Sequence, residues 1–579
     1  MARTQQSTNR GEFFSVWRIN VRTQTLTKEP VPDTWKDLGG RSLLTQILLD
    51  EVPPTCEPLG PKNKLIFAPG LLVGHGLSSC DRISIGGKSP LTGGVKESNA
   101  GGRTGLQITQ LGIKALIIED QPSEPGFWLL HLDADGARFE RADEFAGLGV
   151  FETAPPLLER YGDKVAIALI GPGGEMRLNS AGIQNLDKDR APTRIAARGG
   201  LGALMGTKGL KAIIFDGATG AKPPVANDAA FKAARKAYTN ALLDHPQTTV
   251  YRDYGTAAMV KMCDGFGAIP TKNFSAGSYD GSEKISGEAM RQTMLDRGGE
   301  CEISHACMAG CTIQSSNVFC DVNGKAVVSP LEYETIGIMG SNLDIDSLDI
   351  IARLNWEVND LGLDTIEVGA ALGVAADAGL MEWGDADRAM ELIDEMRAGT
   401  PLGRVLGNGA AITGKVFGVE RVPVVKKQAM SAYDPRAIKG TGVTYATSPQ
   451  GGDHTCGLTI RAKVDHLDPK GQAELSRGAQ INSAGYDTLG ACAFAGFGFG
   501  AAPENIAALL NARYGWDVGD DILQVLGRQT LELEREFNRR AGFTAADDRL
   551  PEWMTREPLP PTGAVFDVPD KDLDSVFNW

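Results

Sequence analysis

The chain is short of positive charge. Lysine and arginine number 58 against 73 aspartates and glutamates, a net charge of −15 over 579 residues. Nucleic acid and anionic membranes are gripped through their phosphates by basic side chains, so neither is expected as a partner. Long apolar runs are missing too. Nothing approaches the ~20 residues that cross a bilayer. The opening MARTQQSTNRGEFFSVWRIN has no apolar stretch of the kind that directs secretion, so a cytoplasmic protein is expected. The nine cysteines in so long a leaderless chain do not make a disulfide frame; they read as reduced thiols or metal ligands.

What the chain has in quantity is glycine, 71 residues of it, set in clusters inside ordered-looking sequence. SPLTGGVKESNAGG and AARGGLGALMG are examples, and they suggest a backbone that approaches something closely. With 42% hydrophobic and 23% charged residues the chain is a globular protein of two to four domains.

The first 215 residues look strand-rich. SVWRINVRTQTLTKEPV alternates like a hairpin, and NKLIFA, KALIIED, KVAIALIG and LKAIIFDG are buried-strand runs bounded by Gly, Pro and Asp. From about 220 the character turns helical. Leu348, Ile351, Leu354, Val358 and Leu361 fall on one helical face, and DDILQVLGRQTLELEREFNRR has acids at its start and arginines at its end, which suits the helix dipole. The expected class is α+β: a β-rich base over residues 1–215, a helical domain over 216–419 and a second helical domain over 420–579.

One short repeat stands out. NDLGLD (Asn359 to Asp364) and DTLGAC (Asp487 to Cys492) share a glycine-ended pattern. Two such helix ends could grip the halves of a pseudo-symmetric ligand; two ordinary glycine C-caps are the bland alternative. The loop Ser89 to Gly105 and the stretch Arg194 to Ile213 offer free backbone N–H groups, hydroxyls and Arg198, a set suited to phosphate. Glu332, Glu334 and His454 are candidates for proton transfer. The segment CEISHACMAGC carries Cys301, Cys307 and Cys311; with the distant Cys492 it could hold iron–sulfur or zinc, or be plain buried thiols.

Taken together, WRINVRTQTL, LGGRSLLTQILLDEVPP, SPLTGG…SNAGG, ARGGLGALMGTKGLKAI, EYETIGIMGSNL, NDLGLD, YDPR, DTLGAC and FNRRAGFTAADDRLPEWM resemble the aldehyde ferredoxin oxidoreductases, tungsten enzymes with a bis-pyranopterin cofactor. The resemblance implies a β-rich base under two pterins and two helical domains above it. It implies cofactor contacts at Arg82, Asn99, Gly101, Arg198, Gly199, Asn359, Asp364, Asp487, Leu489 and Cys492, with Asn99 and Gly199 near a magnesium ion. Tungsten or molybdenum would oxidise an aldehyde to a carboxylic acid. Electrons would leave through a [4Fe-4S] cluster to ferredoxin or to an iron–sulfur or flavin partner subunit. A homodimer is one assembly compatible with this. Other readings are reduction of an acid or aromatic thioester in a larger complex, and a degenerate cofactor-binding or structural member of the family.

Two departures matter. Asn359 stands where the family commonly has Asp. Ser304 stands where it has the first cluster cysteine, so the expectation is that Cys301 substitutes; Ser304 or His305 as ligand, a three-iron centre, and no cluster are the alternatives.

Overall fold

A computed structural model describes residues 13–579. The secretion reading of the opening residues falls largely on 1–12, outside the described residues. Among the described residues no helix is long and apolar enough to cross a membrane.

The hairpin expected at the start is present. β1 (Ser15–Asn20) pairs antiparallel with β2 (Thr25–Pro30). β3 (Leu65–Pro69), β4 (Ile83–Lys88), β5 (Val95–Ala100) and β6 (Ile113–Glu119) complete a six-stranded sheet of order β2-β1-β6-β3-β4-β5. A second sheet follows, built from β7 (Trp128–Leu132), β8 (Ala137–Arg141), β9 (Ala166–Leu169), β10 (Ile183–Asn185), β11 (Arg194–Ala196) and β12 (Leu210–Phe215). Its order, read from β8, is β8-β7-β12-β9-β10-β11. The two orders are the same when each strand is matched to the one six later. Pairing senses match as well: β1·β6 and β7·β12 are parallel, and every other neighbouring pair is antiparallel. The helix Gly40–Glu51 bridges β2 to β3, and Val150–Tyr161 bridges β8 to β9. The base is therefore a duplicated unit. Apolar faces from both sheets, including Phe67, Ile85, Leu116, Ala168, Ile213 and Phe215, pack into one shared core.

The rest is mainly helical. The predicted face of the helix Leu348–Asp360 is buried at Leu348, Ile351, Leu354 and Val358. The helix Ile522–Ala541 packs against Gln472–Leu489 and reaches down to Gly40–Glu51. Two small antiparallel sheets interrupt the helices: β13 (Glu302–His305), β14 (Ser316–Cys320) and β15 (Ala326–Val328) form one, and β16 (Val424–Val425) and β17 (Gln428–Ala429) the other. β13 carries Ser304 and leads directly into the cysteine loop.

Candidate active site

The two glycine-ended motifs dock on the two halves of the base in the same way. The helix Leu348–Asp360 ends just before Gly362, whose φ is 71°; the helix Gln472–Leu489 ends at Gly490, φ 77°. Both are left-handed helix ends that glycine adopts at no steric cost. Carbonyls freed by each end accept hydrogen bonds from the base. Leu361 O takes the Gly173 N–H at 2.9 Å and Gly362 O takes the Gly182 N–H at 2.9 Å. On the other half, Leu489 O takes the Leu72 N–H at 2.9 Å and Gly490 O takes the Arg82 N–H at 3.1 Å. Two residues past each glycine the motif donates back: Asp364 N–H to Ser180 O at 2.8 Å, and Cys492 N–H to Ser79 O at 2.7 Å.

Side chains fasten each motif. Asp364 caps the helix Thr365–Asp377 and receives Arg198 Nε at 3.2 Å. Asn359 donates to Asn355 Oδ1 at 3.0 Å, and its carbonyl accepts Gln184 Nε2 at 2.9 Å. Asp487 receives Arg41 Nη1 at 3.1 Å. Arg41 is fully buried and also clamps Glu534 with two bonds of 2.7 and 2.8 Å. Leu489 is buried under the same helix end.

The glycine loops meet at the same place. Arg82 donates to the side chain and carbonyl of Asn99, while Asn99 Nδ2 is buried with no protein partner. Gly101 lies between the Cys307 thiol and the Arg82 guanidinium, so that a Cβ there would stand 3.2 Å from Cys307 Sγ. Gly199 is covered by the Lys96 side chain, and its carbonyl accepts the Ser89 hydroxyl at 2.8 Å. Lys96 continues to Asp453 at 2.9 Å. Burial opposes ionisation of Asp453, yet Lys96 and Arg198 hold its carboxyl well below the usual range. Gln428 Oε1, beside this pair, is a second buried atom without a partner. Orphaned amides beside glycine loops and guanidinium groups suit a polar, phosphate-bearing ligand, and the residues present fit the cofactor that the family resemblance implies.

The acid–base candidates separate cleanly. His454 Nε2 lies 3.0 Å from Glu334 Oε1, which also accepts the Tyr433 hydroxyl at 3.0 Å. His454 Nδ1 lies 2.7 Å from Ser431 Oγ. Arg198 Nη1 donates to that oxygen at 3.3 Å, which frees the Ser431 proton for Nδ1 and leaves Nε2–H directed at Glu334. Burial works to raise Glu334, but His454 and the Tyr433 hydroxyl bring it below its ordinary value. Glu332 differs. Burial pushes it up to about 7, with Glu334 adding to the rise and the Thr256 hydroxyl opposing it.

The thiols divide likewise. Cys307 and Cys311 lie in a turn-rich loop. They belong to one apolar cluster, with Cys492 within electrostatic reach of both, and burial pushes the Cys307 thiol up to about 12. Cys301 is not with them. It flanks β13 and interacts with Cys320 at the end of β14. The expected substitution of Cys301 for the thiol missing at 304 is not what the chain's path provides, because β13 runs between Cys301 and the loop. Ser304 Oγ is bonded to Gln314, at 3.2 Å to its carbonyl and 3.1 Å to Oε1. His305 turns toward Glu302 and Asp187. Two residues outside the motifs join the thiols instead. Ser79 Oγ is 3.4 Å from Cys311 Sγ, and Cys80 sits within electrostatic reach of Cys311 and Cys492. Arg41, Lys96, Tyr433 and Ser431 are further site residues that local patterns did not single out.

A duplicated β base closed by two glycine-ended helices, with an acid–imidazole pair and a group of buried thiols set over it, is a framework suited to redox chemistry. Comparison with known proteins gives the family. The model of the aldehyde ferredoxin oxidoreductase N-terminal domain matches residues 16–217, and that of domains 2 and 3 of the same enzymes matches 233–578. A tungsten-containing aldehyde ferredoxin oxidoreductase of Pyrococcus furiosus is 33% identical, covering 95% of this chain and 92% of its own. One from Thermococcus kodakarensis is 32% identical with the same coverage. The WOR-like subunit of an aliphatic sulfonate oxidoreductase from Pyrococcus furiosus is 27% identical over 86% of this chain and 81% of its own. Among solved structures, the active site complex BamBC of benzoyl coenzyme A reductase with 1,5-dienoyl-CoA superposes with a TM-score of 0.78 over 98% of this chain and 93% of that one; at 19% identity the likeness is one of fold. The chain belongs to the aldehyde ferredoxin oxidoreductase family and is an oxidoreductase.

Proposed function

We propose that the chain is a tungsten (or molybdenum) bis-pyranopterin enzyme that oxidises an aldehyde to its carboxylic acid. The observation that carries this is the matched docking of the two motifs over the glycine loops, with the His454–Glu334 pair beside them. Arg82, Asn99, Gly101, Arg198, Gly199, Asn359, Asp364, Asp487 and Leu489 would hold the pterins, with Asn99 and the Gly199 carbonyl next to magnesium. The cofactor supplies two-electron redox chemistry when bound. In the overall change an aldehyde and water become a carboxylic acid, two protons and two electrons. His454 and Glu334 are placed to take up a proton from the aldehyde hydrate, and Tyr433 and Ser431 orient them. Cys307, Cys311 and Cys492 would hold an iron–sulfur centre that passes electrons to ferredoxin or a partner subunit.

The test is anaerobic purification from a tungsten- and molybdenum-supplemented host, followed by metal analysis and aldehyde-dependent dye reduction. Near-stoichiometric tungsten or molybdenum with aldehyde-dependent turnover is expected; neither metal, or a loaded protein inert to aldehydes, sinks the reading. Iron content and EPR separately test the thiols. Cys492→Ser should lose the cluster signal and Cys301→Ala should keep it. A second reading, reduction of an acid or aromatic thioester as the catalytic subunit of a larger complex, is favoured by the fold shared with the benzoyl coenzyme A reductase complex and by the altered cysteine set. Co-purification with iron–sulfur or flavin subunits would support it.

A further inference from the structure

We propose a divalent-cation site formed by Asp187, Asp189 and His305, separate from the cofactor cradle. Their ligand atoms lie within 4.8 Å of one another. His305 Nε2 stands 3.5 Å from Asp187 Oδ2 and 3.5 Å from Asp189 Oδ2. Ligand atoms about 2.1 Å from a tetrahedral ion are about 3.4 Å apart, so both separations match the edges of such a site.

Three further observations point to a ligand. His305 is only 4% exposed, and its Nε2 is buried without a hydrogen-bond partner. Its other nitrogen, Nδ1, is 2.6 Å from Glu302 Oε2. A carboxylate on Nδ1 fixes a proton there and makes Nε2 the nitrogen that faces the two aspartates, where an ion would replace the proton they otherwise favour; a carboxylate on the far nitrogen is the arrangement that orients metal-bound histidines. Asp187 is preset as well. Its Oδ1 accepts the Asp189 and Ala191 N–H groups at 2.8 and 3.1 Å, which turns Oδ2 toward His305.

Two cations oppose an ion here. Arg194 Nη2 is 3.6 Å from Asp187 Oδ2, and Lys188 Nζ is 2.5 Å from Asp189 Oδ2. The Thr193 hydroxyl also donates to Asp187 Oδ2, at 3.1 Å. Lys188 is exposed enough to swing away; Arg194 is anchored on Ser316 and Ser329 and stays. One imidazole and two carboxylates with Arg194 in reach suit a first-row ion such as zinc or manganese(II) better than magnesium, because imidazole bonding supplements charge. The ion would tie the loop after β10 to β13, two residues before Cys307.

The experiment is equilibrium dialysis of the full-length protein, purified with its own metals, against zinc and separately against manganese(II), with bound metal counted by mass spectrometry. Wild type should hold one more equivalent of one of these ions than His305→Gln or Asp189→Asn. Glu302→Gln should weaken binding roughly 10–100-fold, as loss of an orienting carboxylate does. Asp189 is half exposed, so Asp189→Asn should fold, and circular dichroism checks it. Zinc bound adventitiously at thiols would be unaffected by Asp189→Asn; that result, or no extra equivalent in wild type, would leave a plain ion-pair network and overturn the proposal.

Discussion

The two motif ends make the same backbone bonds to matching halves of the base, yet they finish differently. Asp364 ends the first and turns back into the protein, capping a helix and binding Arg198. Cys492 ends the second and lies within electrostatic reach of Cys307 and Cys311. Identical docking with different last residues teaches that the repeat is a scaffold. The docking bonds are made by backbone groups alone, so the side chain two past the glycine can differ, Asp364 in one motif and Cys492 in the other.

The comparison can be broken most strongly on the proton side. Glu334→Gln should lower kcat by about 10²–10⁴-fold with KM and metal content little changed, measured by steady-state aldehyde oxidation. An unchanged kcat would transfer the role to Glu332. Next is the clamp on the second motif. Arg41→Met leaves the buried Glu534 and the half-buried Asp487 without their guanidinium partner, so urea unfolding should show a loss of about 3–5 kcal/mol.

The glycines sharpen the comparison. Alanine at Gly362 or Gly490 forces a left-handed residue, about 1–2 kcal/mol each. A Cβ at Gly362 would stand 2.7 Å from the Gly171 backbone nitrogen, whereas at Gly490 the nearest atom, at 2.4 Å, is a methyl of Val73. A methyl can rotate away and a backbone nitrogen cannot. Gly362→Ala should therefore lower the urea midpoint more than Gly490→Ala; the reverse order would mean Val73 is as rigid as the base.

The smallest effect is a pH effect. The folded-state carboxyl of Glu332 is raised from 4.5 to about 7. A raised acid binds its proton more tightly when folded, so its contribution is lost as pH climbs between those values. Glu332→Gln should remove that slope, gaining on the order of 1 kcal/mol relative to wild type at pH 8 compared with pH 5. Parallel unfolding curves at both pH values would refute it.

The plan of the molecule was largely legible. Strand runs, the amphipathic helix at 348–360 and the glycine-ended repeat all followed from short-range pattern. The duplication of the base was not seen, although GIKALIIE (112–119) and GLKAIIFD (209–216) repeat across it, because the matching blocks are short and 97 positions apart. Spacing alone also could not choose between Glu332 and Glu334. They are two apart at a helix start, so they point to different sides, and only the fold brings Glu334 to His454. Arg41 and Glu534 pair across 493 positions, beyond any local signal. The cysteine segment was less legible for a related reason. The pairing of β13 with β14 holds Ser304 in extended chain, and Cys301, just before β13, is kept apart from the loop that carries Cys307 and Cys311.

The duplicated base has a consequence for direction. Two equal halves by themselves offer no reason for charge to travel one way. The helical layers set different groups upon the base: an imidazole–carboxylate pair held through Arg198 and Ser431, and thiols gathered beside Gly101 and Ser79. The symmetry of the platform is thus broken only by what is laid over it, and two equal halves carry two unlike kinds of side-chain chemistry.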